Sequence, residues 1–478
     1  MESVYACFKA GLVPVNTNYR YKADELVYLW ENADAEAVVF HAAFADVVAE
    51  VRPRVPKVRA WIWTDDGSGA TCPQWATRYD EIVAVPERRC LPAWGRSADD
   101  LYLLYTGGTT GLPKGVMWRQ EDLFHLINQG DLTKAREVVD APGPVVLPAC
   151  PLMHGTASFA AFGGLCAGGS LVTLVNRQFD AVCLLDAIER ERAALTVIVG
   201  DAFAAPVVSA LDAEPARWDI SSLQVIISSG AMWSQASKSG LSRHNERMIL
   251  IDTLGSSEAA GIAQSIAYGG SSVPTARFQL SANARVLSED GREIQQGSGE
   301  TGMLAITGSI PVGYYKDAEK TAATFRTVGT KRYSIPGDYA TVDADGYVTL
   351  LGRGSASINT GGEKVYAEEV EEALKDGPGV KDAIVVGVPD DRLGESVCAV
   401  VVADQCDEAG LRRHVASRLA GYKVPKRIFS VPTLERAPNG KVDYRRWKSL
   451  AAEMAAPAAT VGNAQERPSA PVTAEGVK

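Results

Sequence analysis

The stretch YTGGTTGLPKG, residues 105–115, follows an apolar run, Leu101–Leu104, that is typical of a buried strand. Its glycines allow backbone N–H groups to turn toward an anion without a Cβ in the way. Its threonine hydroxyls add donors, and Lys114 supplies a point charge suited to phosphate. The stretch therefore predicts a loop that grips a triphosphate at the end of a strand.

The same stretch differs from the common P-loop, in which Gly-Lys is followed by Ser or Thr at the start of a helix. Here Pro113 precedes the lysine, and Gly115–Trp118 continues as if in another strand. A surface hairpin rich in turn residues is the alternative that this stretch alone leaves open. Further motifs, which follow downstream in a fixed order, favour the phosphate loop.

Length and composition indicate a globular protein of two or more domains. The chain has 478 residues, of which 46% are hydrophobic and 22% charged. Its net charge of −10 and its lack of Lys/Arg runs argue against nucleic-acid binding. The eight cysteines form no Cys-x-x-Cys pair, so we expect free thiols in a reducing cytoplasm rather than a zinc site or a disulfide framework. The first residues lack the pattern of a secretory signal.

The segment 141–176 contains no Asp, Glu, Lys or Arg. Prolines and glycines divide it into short pieces, which does not suit a membrane-spanning helix. We expect it to form buried core and to line an apolar cavity. Peripheral contact with a membrane stays open.

Short β-type runs recur between helical-looking stretches. They include Ala37–Phe40, Leu195–Val199, Leu223–Ile227 and Met248–Ile251. Such alternation predicts an α/β fold with a largely parallel sheet. Small polar residues, SSGA at 228–231 and GSSE at 255–258, come after two of the runs. Because ligands in such folds bind beyond the carboxyl ends of the strands, both endings are candidate walls of a site.

The sequence changes character near residue 353. Residues 368–374 look helical, Ala383–Val386 and Val397–Val402 look like strands, and Leu411, Val415 and Leu419 share one helical face. We therefore expect an α/β fold with a large multi-sheet N-terminal domain, 1–352, and a smaller α+β C-terminal domain, 353–450. The end of the chain, 451–478, is rich in Ala, Pro and Thr and predicts a disordered tail.

Five motifs follow one another in a fixed order along the chain. They are the Gly/Thr loop, Ser256-Ser257-Glu258, Gly337-Asp338, Gly352-Arg353 and Pro438-Asn439-Gly440-Lys441. With these motifs the chain resembles the AMP-forming acyl-CoA synthetases, which belong to the superfamily of acyl-CoA ligases, peptide-synthetase adenylation domains and luciferases. The resemblance runs from near residue 10 to about 450. Trp118–Gln120, Gly352–Ser355 and Ile358–Lys364 are most similar to the actinobacterial fatty-acid and sterol-side-chain ligases.

The resemblance implies that the chain binds ATP, Mg²⁺ and CoA. The loop would hold the β- and γ-phosphates, and the two strand endings would surround the adenine. Asp338 would bind the ribose hydroxyls, Arg353 would reach the ribose or phosphate region, and the glycines after Thr360 would let pantetheine pass close to the backbone. The implied binding residues are Thr106, Gly107, Gly108, Thr109, Thr110, Gly111, Lys114, Ser229, Gly230, Ala231, Asp252, Thr253, Leu254, Gly255, Ser256, Ser257, Asp338, Arg353, Gly361, Gly362 and Lys441.

The resemblance also implies catalytic roles. Lys441 would promote adenylation, together with Lys114, and Glu258 would hold Mg²⁺ with Thr110. His154 matches a position near the acyl pocket of the family. The small domain would be mobile, docking for adenylation and then rotating for transfer to the thiol.

The chemistry explains these residue types. A carboxylate that attacks the α-phosphorus of ATP meets a polyanion, and cations placed where charge accumulates relieve this repulsion. Each residue taken alone has an ordinary alternative. Asp338 could cap a turn, Glu258 could be a solvated carboxylate, Lys441 a surface lysine and His154 a satisfied core histidine.

The chain departs from the family pattern at three places. Ser355 stands where Asp or Lys usually acts as the hinge, and Leu254 stands where many relatives stack an aromatic ring on adenine. Relatives begin some tens of residues before the helix expected at Val4–Ala10. An outer part of the large domain is therefore expected to be absent, or the start to be misassigned.

The expected function is ATP-dependent activation of a medium- or long-chain fatty acid, or of a sterol-side-chain acid, to acyl-AMP and diphosphate, followed by transfer to CoA. The expected partners are therefore small molecules, with no nucleic acid and no transmembrane segment. Two alternatives stay open. One is an acyl-AMP ligase that loads a carrier protein, and the other is a nucleotide-binding protein without turnover.

Overall fold

A computed structural model describes residues 1–85, 92–106, 113–128, 142–176, 178–231, 233–269, 277–353, 357–360, 363–390, 393–403, 405–419, 421–436 and 442–455. Within these ranges, none of the helices combines the length and the hydropathy needed to cross a bilayer. The helices are α1 Glu2–Lys9, α2 Ala23–Asn32, α3 Ala45–Val51, α4 Tyr79–Val83, α5 Gln120–Ile127, α6 Gly155–Cys166, α7 Ala181–Glu191, α8 Asp201–Ala213, α9 Gln235–His244, α10 Ala318–Thr324, α11 Ala367–Lys375, α12 Glu408–Ala416 and α13 Tyr444–Ala455.

A small parallel sheet lies near the start of the chain. Its strands are β1 Ala37–His41, β2 Ala60–Thr64 and β3 Thr77–Arg78, in that order. The buried faces of β1 and β2 pack against α2 and α3 through a core that includes Trp30, Trp61 and Trp63. This sheet accounts for the predicted run at Ala37–Phe40.

A three-stranded antiparallel sheet carries the Gly/Thr stretch. Its strands are β4 Leu101–Thr106, β5 Lys114–Arg119 and β15 Gly313–Tyr314, with β5 in the middle. The predictions of a strand before the loop and of a second strand after it are both confirmed. The apolar residues of β4 divide between two cores, with Leu103 on one and Leu104 on the other.

A mixed sheet of thirteen strands within the described ranges forms the centre of the large part. Its order is β16-β17-β14-β18-β19-β12-β11-β10-β9-β8-β6-β7, and β13 pairs with β14. The strands are β6 Val145–Pro148, β7 Ser170–Leu171, β8 Leu195–Ile198, β9 Val225–Ser229, β10 Ile249–Leu254, β11 Ala263–Tyr268, β12 Arg277–Leu280, β13 Ala284–Leu287, β14 Thr301–Thr307, β16 Phe325–Val328, β17 Lys331–Ser334, β18 Asp338–Val342 and β19 Tyr347–Arg353.

Only one half of this sheet is parallel, which corrects the expectation of a largely parallel sheet. Strands β7, β6, β8, β9 and β10 run parallel, and α6, α7, α8 and α9 lie between them in the chain. The pairs from β10–β11 onward are antiparallel. The predicted apolar runs at 195–199, 223–227 and 248–251 correspond to the parallel strands β8, β9 and β10. Antiparallel strands with one solvated face, such as β11, mix polar residues with apolar ones, so a search for apolar runs does not detect them.

The C-terminal part forms a separate five-stranded sheet. Its strands are β20 Ser357–Thr360, β21 Glu363–Tyr366, β22 Val380–Asp390, β23 Gly394–Ala403 and β24 Arg427–Ser430. Helices α11 and α12 pack on one face through Val370, Leu411 and Val415, and α13 packs on the other through Trp447. The α/β fold with a larger N-terminal and a smaller α+β C-terminal part is confirmed. The boundary at 352/353 stays a prediction.

Helix α13 continues past residue 451, where the predicted tail begins. Ala451 is fully buried beside Trp447, so the helix retains packing as far as Ala455. Residues 456–478 lie outside the described residues. The segment 142–176 forms β6, α6 and β7, and its buried Leu147 and Phe162 confirm the prediction of core.

Candidate active site

The Gly/Thr stretch closes a hairpin whose two stems face each other. Thr106 pairs with Lys114 and Tyr105 with Gly115 across β4 and β5. A Cβ on Gly115 would lie 2.8 Å from the Tyr105 ring, so this position requires glycine. The Tyr105 hydroxyl donates to Asn32 Oδ1 at 2.5 Å. The hairpin is therefore fixed at its base, where Lys114 leaves the loop.

Lys114 lies between a carboxylate and an aromatic ring. Its Nζ is 2.7 Å from Asp317 Oδ2 and 5.8 Å from the centroid of the Tyr314 ring. The bond from Lys114 lowers the pKa of the Asp317 carboxyl, which also caps α10 by accepting from the N–H of Lys320 at 2.9 Å. The lysine is 37% exposed, so its ammonium can reach a ligand in the hairpin.

The Glu258 side chain also contacts Tyr314, through the tyrosine hydroxyl. The Tyr314 hydroxyl donates to Glu258 Oε1 at 2.8 Å, and the Ser334 hydroxyl donates to the Glu258 carbonyl at 2.7 Å. The indole N–H of Trp118, on β5, donates to the Ser257 carbonyl at 3.0 Å. These bonds bring Glu258, Tyr314 and Lys114 into one connected cluster.

The ends of β9 and β10 lie side by side, as the parallel pairing requires. Ser229 pairs with Thr253, and the Thr253 hydroxyl donates to the Ser228 carbonyl at 3.0 Å. Gly230 follows with φ +86°, a conformation that favours glycine. After β10, the N–H groups of Ser256 and Ala259 each donate to the other residue's carbonyl at 3.1 Å. The two predicted strand endings therefore form adjacent walls.

The remaining predicted wall residues, Gly255, Leu254 and Ala231, lie at or just after the ends of β9 and β10. A Cβ on Gly255 would lie 2.9 Å from the Ala259 carbonyl oxygen, so the close turn requires glycine. Leu254, at the end of β10, is partly buried against the core that contains Trp118. Ala231 follows Gly230 and packs partly against the neighbouring core.

Asp252 does not share the position of its neighbours. Its carboxylate lies 3.0 Å from Lys238 Nζ, and the two side chains are 7% and 3% exposed. Burial raises the pKa of Asp252 to about 6, and the positive charge of Lys238 opposes that rise. Lys238 also lies 5.2 Å from the centroid of the Trp233 ring. The Asp252 side chain is thus buried in an ion pair in the core, which corrects the prediction that it surrounds the adenine.

Asp338 and Arg353 occupy paired positions at the ends of β18 and β19. Gly337, with φ +97°, turns the chain into β18, and Gly352 has φ +109°. A Cβ on Gly352 would overlap the carboxylate of Glu368, from the C-terminal part. Arg353 is described only through its backbone.

His154 caps the N-terminus of α6, and its carbonyl accepts from the Ser158 N–H at 3.0 Å. Asn16 links this region to the hairpin of β4 and β5. Its side-chain amide donates to the carbonyls of Tyr105 and Met153 at 2.9 and 2.8 Å, and its Oδ1 accepts from the Tyr105 N–H at 2.6 Å.

Asn16, Tyr314 and Asp317 were not predicted from the sequence. For Asp317 a readable signal existed, because an Asp directly before a helix-forming run is typical of an N-cap. Asn16 and Tyr314 have no local pattern that reveals their partners. Seven implied residues, Gly107, Gly108, Thr109, Thr110, Gly111, Gly361 and Gly362, and the catalytic candidate Lys441 lie outside the described residues.

A cavity of about 1640 Å³ opens behind β4. Leu152, Leu165, Leu171 and Thr173, all from the uncharged segment, line it together with residues of α1 such as Val4. The segment therefore lines part of a cavity whose wall also contains charged residues such as Glu2, Asp34 and Arg59, and the expectation of an apolar cavity stays a prediction.

Comparison with known proteins identifies the family. A family model described as AMP-binding enzyme matches residues 1–315, and one described as AMP-binding enzyme C-terminal domain matches residues 369–441. The chain belongs to the AMP-binding enzyme family. The family assignment agrees with the resemblance drawn from the motifs.

Curated relatives of this AMP-binding enzyme are named as CoA ligases. The chain is 41% identical over 469 residues to a 3-oxocholest-4-en-26-oate–CoA ligase of Rhodococcus rhodochrous, covering 93% of this chain and 83% of the relative. It is 43% identical over 464 residues to a medium/long-chain-fatty-acid–CoA/3-oxocholest-4-en-26-oate–CoA ligase of Mycobacterium tuberculosis H37Rv, covering 91% and 82%. The actinobacterial relationship inferred from the motifs is confirmed.

Solved structures support the fold. The crystal structure of ATP-bound MatB from Rhodopseudomonas palustris matches with a TM-score of 0.77 and 29% identity, covering 94% of this chain and 86% of that one. The anthranilate CoA ligase AuaEII in complex with anthranoyl-AMP has the same TM-score at 21% identity, with 95% and 85% covered. The AMP-binding enzyme fold of this chain is thus established over nearly its whole described length.

Proposed function

We propose that this AMP-binding enzyme joins a carboxylic acid to ATP, giving acyl-AMP and diphosphate, and then transfers the acyl group to CoA. The observation that carries the proposal is the cluster of Lys114, Tyr314 and Glu258 at the mouth of the hairpin. Lys114 and Glu258, which are far apart in the sequence, both contact Tyr314, close to where a triphosphate would lie. The names of the curated relatives support a CoA ligase.

The residues of the hairpin fit the phosphates. We assign Thr106 and Lys114, with Gly107–Gly111 between them, to the β- and γ-phosphates. An ammonium held in a part-buried site stabilises charge that develops on phosphate oxygens more strongly than it would in water. Asp317 holds the Lys114 amine at 2.7 Å.

Glu258 fits a site for Mg²⁺. Carboxylate oxygen is a preferred ligand of Mg²⁺, which typically takes one or two carboxylates and completes its shell with phosphates and water. The Tyr314 hydroxyl binds one oxygen of Glu258 at 2.8 Å and thereby orients the carboxylate. We assign Glu258 and Thr110 to the ion, which when bound would neutralise charge between the phosphates.

The remaining nucleotide contacts follow from the strand ends. We assign Ser229–Ala231 and Thr253–Ser257 to the adenine, Asp338 to the ribose hydroxyls and Arg353 to the ribose or phosphate region. Asp252 is not assigned to the nucleotide. Its ion pair with Lys238 supports β10 from the side of the core. His154 is assigned to the acyl side of the site, because Asn16 ties the preceding residue to the end of β4.

The acid is a medium- or long-chain fatty acid or a sterol-side-chain acid. Two relatives at 41–43% identity carry these substrates in their names. The uncharged segment 142–176, which leads into His154 and α6, supports an apolar substrate over a small polar one.

Lys441 is assigned to adenylation, and the C-terminal part that carries it is proposed to move between the two steps. For the transfer step, this movement would bring Gly361 and Gly362 next to the thiol of CoA. The location in the cytoplasm stays a prediction.

The experiment mixes the protein with ATP, Mg²⁺, CoA and a panel of fatty and sterol acids. We expect AMP and an acyl-CoA product, and hydroxylamine should trap the acyl-AMP when CoA is omitted. Release of ADP in place of AMP would refute the mechanism. A carrier protein that accepts the acyl group while free CoA does not would assign the chain to the carrier-loading class instead.

The role of Lys441 can be tested separately. Lys441→Ala should block formation of acyl-AMP, because the cation that stabilises the attack is lost, by a barrier increase of about 3–4 kcal/mol. The variant should still convert preformed acyl-AMP into the thioester, as measured by chromatography of acyl-CoA. Equal loss of both half-reactions would contradict the assignment.

A further inference from the structure

Strand β15 runs antiparallel beside β5 and leads the chain toward Lys114. Tyr314 pairs with Val116 across the two strands, and the Tyr315 N–H donates to the Gly115 carbonyl at 2.8 Å. Lys114 is the next residue along β5 and the first of that strand. The antiparallel pairing therefore carries the turn after β15 directly to the start of β5.

Asp317, at the end of this turn, is held between the lysine and its own helix. Its Oδ2 is 2.7 Å from Lys114 Nζ, whereas its Oδ1 accepts from the Lys320 N–H at 2.9 Å. The Asp317 carbonyl accepts from the Thr321 hydroxyl at 2.7 Å, and the same hydroxyl accepts from the Tyr314 N–H at 2.9 Å. These bonds fix the carboxylate relative to Tyr314 as well as to α10.

The turn itself is anchored by two further contacts. A Cβ on Gly313 would lie 2.4 Å from Thr321 Cγ2, so α10 packs directly on the backbone of β15. Asp34 accepts from the Tyr315 hydroxyl at 2.8 Å and lies 2.6 Å from Lys316 Nζ. The carboxylate that binds Lys114 is thus part of a fixed framework, whereas the lysine has a flexible four-carbon stem.

We propose that Asp317 is a positioning residue for Lys114. The inference rests on the proposed function, in which the Lys114 ammonium meets the phosphates of ATP. A lysine side chain loses rotamer freedom when its ammonium is fixed, and the ion pair causes this loss before ATP arrives. The ammonium is thereby kept 5.8 Å from the centroid of the Tyr314 ring, close to Glu258.

The same ion pair has an opposite effect on binding. The Lys114 ammonium is shared with a carboxylate, and that carboxylate repels the phosphates of ATP. Asp317 therefore raises the rate of adenylation and weakens the binding of ATP. This combination separates a positioning role from a merely structural one, because loss of folded protein lowers the rate without tightening the binding of ATP.

The test uses a substitution that keeps the helix cap. In Asp317→Asn, the amide oxygen can still accept from the Lys320 N–H, while the amide nitrogen cannot accept from Lys114. Asp180→Asn is the matched control, because Asp180 caps α7 by accepting from the Val182 N–H at 2.9 Å. Lys114→Ala and the double variant with Asp317→Asn complete a mutant cycle. Thermal unfolding of each variant shows whether it is folded.

Adenylation is measured by ATP–diphosphate exchange at a saturating concentration of fatty acid. Asp317→Asn should lower kcat about 10–100-fold and lower the KM for ATP about threefold or more. Asp180→Asn should keep both constants within about twofold of wild type. In the Lys114→Ala background, Asp317→Asn should change kcat by less than about twofold, because the group that it positions is absent.

Three kinetic results would overturn the positioning role. They are a kcat for Asp317→Asn within about twofold of wild type, a raised KM for ATP, and an equal loss of kcat with and without Lys114. The last result would leave Asp317 as a helix cap alone.

Calorimetric titration with ATP supplies a readout that needs no turnover. Asp317→Asn should bind ATP more tightly than the wild type does, and Asp180→Asn should bind it equally well. If the wild-type protein forms no AMP, the proposed function fails by itself and the titration still tests the ion pair. Equal or weaker binding of ATP by Asp317→Asn would then overturn the inference.

Discussion

Removing one hydroxyl from the cluster tests whether Tyr314 orients Glu258 for Mg²⁺. The substitution is Tyr314→Phe. The ring is 6% exposed and packs at 5.8 Å, edge to face, against Phe325. Phenylalanine keeps this packing and the contact with Lys114, so the variant should fold. The change removes one donor, 2.8 Å from Glu258 Oε1.

The size of the effect follows from the kind of bond. A hydrogen bond to a charged acceptor contributes about 1.5–3 kcal/mol, which corresponds to roughly a 10- to 150-fold change in an equilibrium or rate constant. Because the bond orients a proposed ligand of the metal, the loss should depend on the Mg²⁺ concentration. The half-saturating Mg²⁺ concentration should rise about tenfold or more, and excess Mg²⁺ should recover much of the rate.

Tyr315→Phe provides the matched control. The Tyr315 hydroxyl donates to Asp34 at 2.8 Å, and Asp34 also contacts Lys57 and Lys316 at 2.7 and 2.6 Å. Those bonds, that from Lys316 foremost, hold the pKa of Asp34 well below its usual range. Because Lys316, the next residue, still binds Asp34 when the Tyr315 hydroxyl is removed, the link from Asp34 to this part of the chain remains and the Mg²⁺ dependence should change little.

The assay is diphosphate release at fixed ATP across a series of Mg²⁺ concentrations, with thermal unfolding measured in parallel. The orienting role predicts a shift in the Mg²⁺ curve for Tyr314→Phe and none for Tyr315→Phe. Two results would refute it. One is that both variants follow the same curve within about twofold. The other is that the loss in Tyr314→Phe is as large at saturating Mg²⁺ as at limiting Mg²⁺.

Three further predictions concern other parts of the site. Lys114→Ala should lower the rate of diphosphate release on the order of 100- to 1000-fold, because a preorganised cation at the phosphates is lost; a rate within tenfold of wild type would remove Lys114 from the phosphates. Gly352→Ala should lower the free energy of unfolding by more than Gly337→Ala, since both have positive φ but only the first Cβ meets Glu368; equal losses in urea unfolding would contradict this. Burial raises the pKa of Asp252 from 3.8 to about 6, so the folded state binds this proton more tightly and stability should fall as pH rises between these values. Asp252→Asn should remove that slope from the pH profile of unfolding, and a profile that keeps it would place the titration elsewhere.

The motifs at the ends of strands predicted much of the site because each is a local feature. A run of apolar residues followed by Gly and Thr specifies a strand and the loop after it. The strand before the loop and a second strand after it therefore follow from sequence alone, whereas their pairing in one hairpin is a finding of the structure. The adjacency of the strand endings at Ser229 and Thr253 follows similarly, because adjacent parallel strands end at the same edge.

Asp252 shows where motif reading fails although a local signal existed. Successive residues of a strand point to opposite faces, and Leu250 and Asp252 are both buried on one face of β10. Alternation therefore separates Asp252 from Thr253, although both belong to the same stretch. Its partner Lys238 lies on α9, and the sequence gives no means of matching the two. Tyr314 and Glu258 pose the same problem, because their bond depends on how β15 pairs with β5.

The hairpin of β4 and β5 depends on a part of the chain that contains none of the five motifs. Within α2 and just after it, Tyr28 donates to the Pro113 carbonyl at 3.2 Å, and Asn32 and Asp34 accept from Tyr105 and Tyr315. These three contacts reach β4, the start of β5 and the residue after Tyr314. They join the three strands that present Thr106, Lys114 and Tyr314.

A loop rich in glycine loses much conformational entropy when it becomes ordered around a ligand. Anchoring both of its stems before the ligand arrives lowers that cost, and donors that are already in place stabilise developing charge without rearrangement. The segment 28–34 thus contributes to the proposed chemistry through position, although none of its residues belongs to the cluster itself.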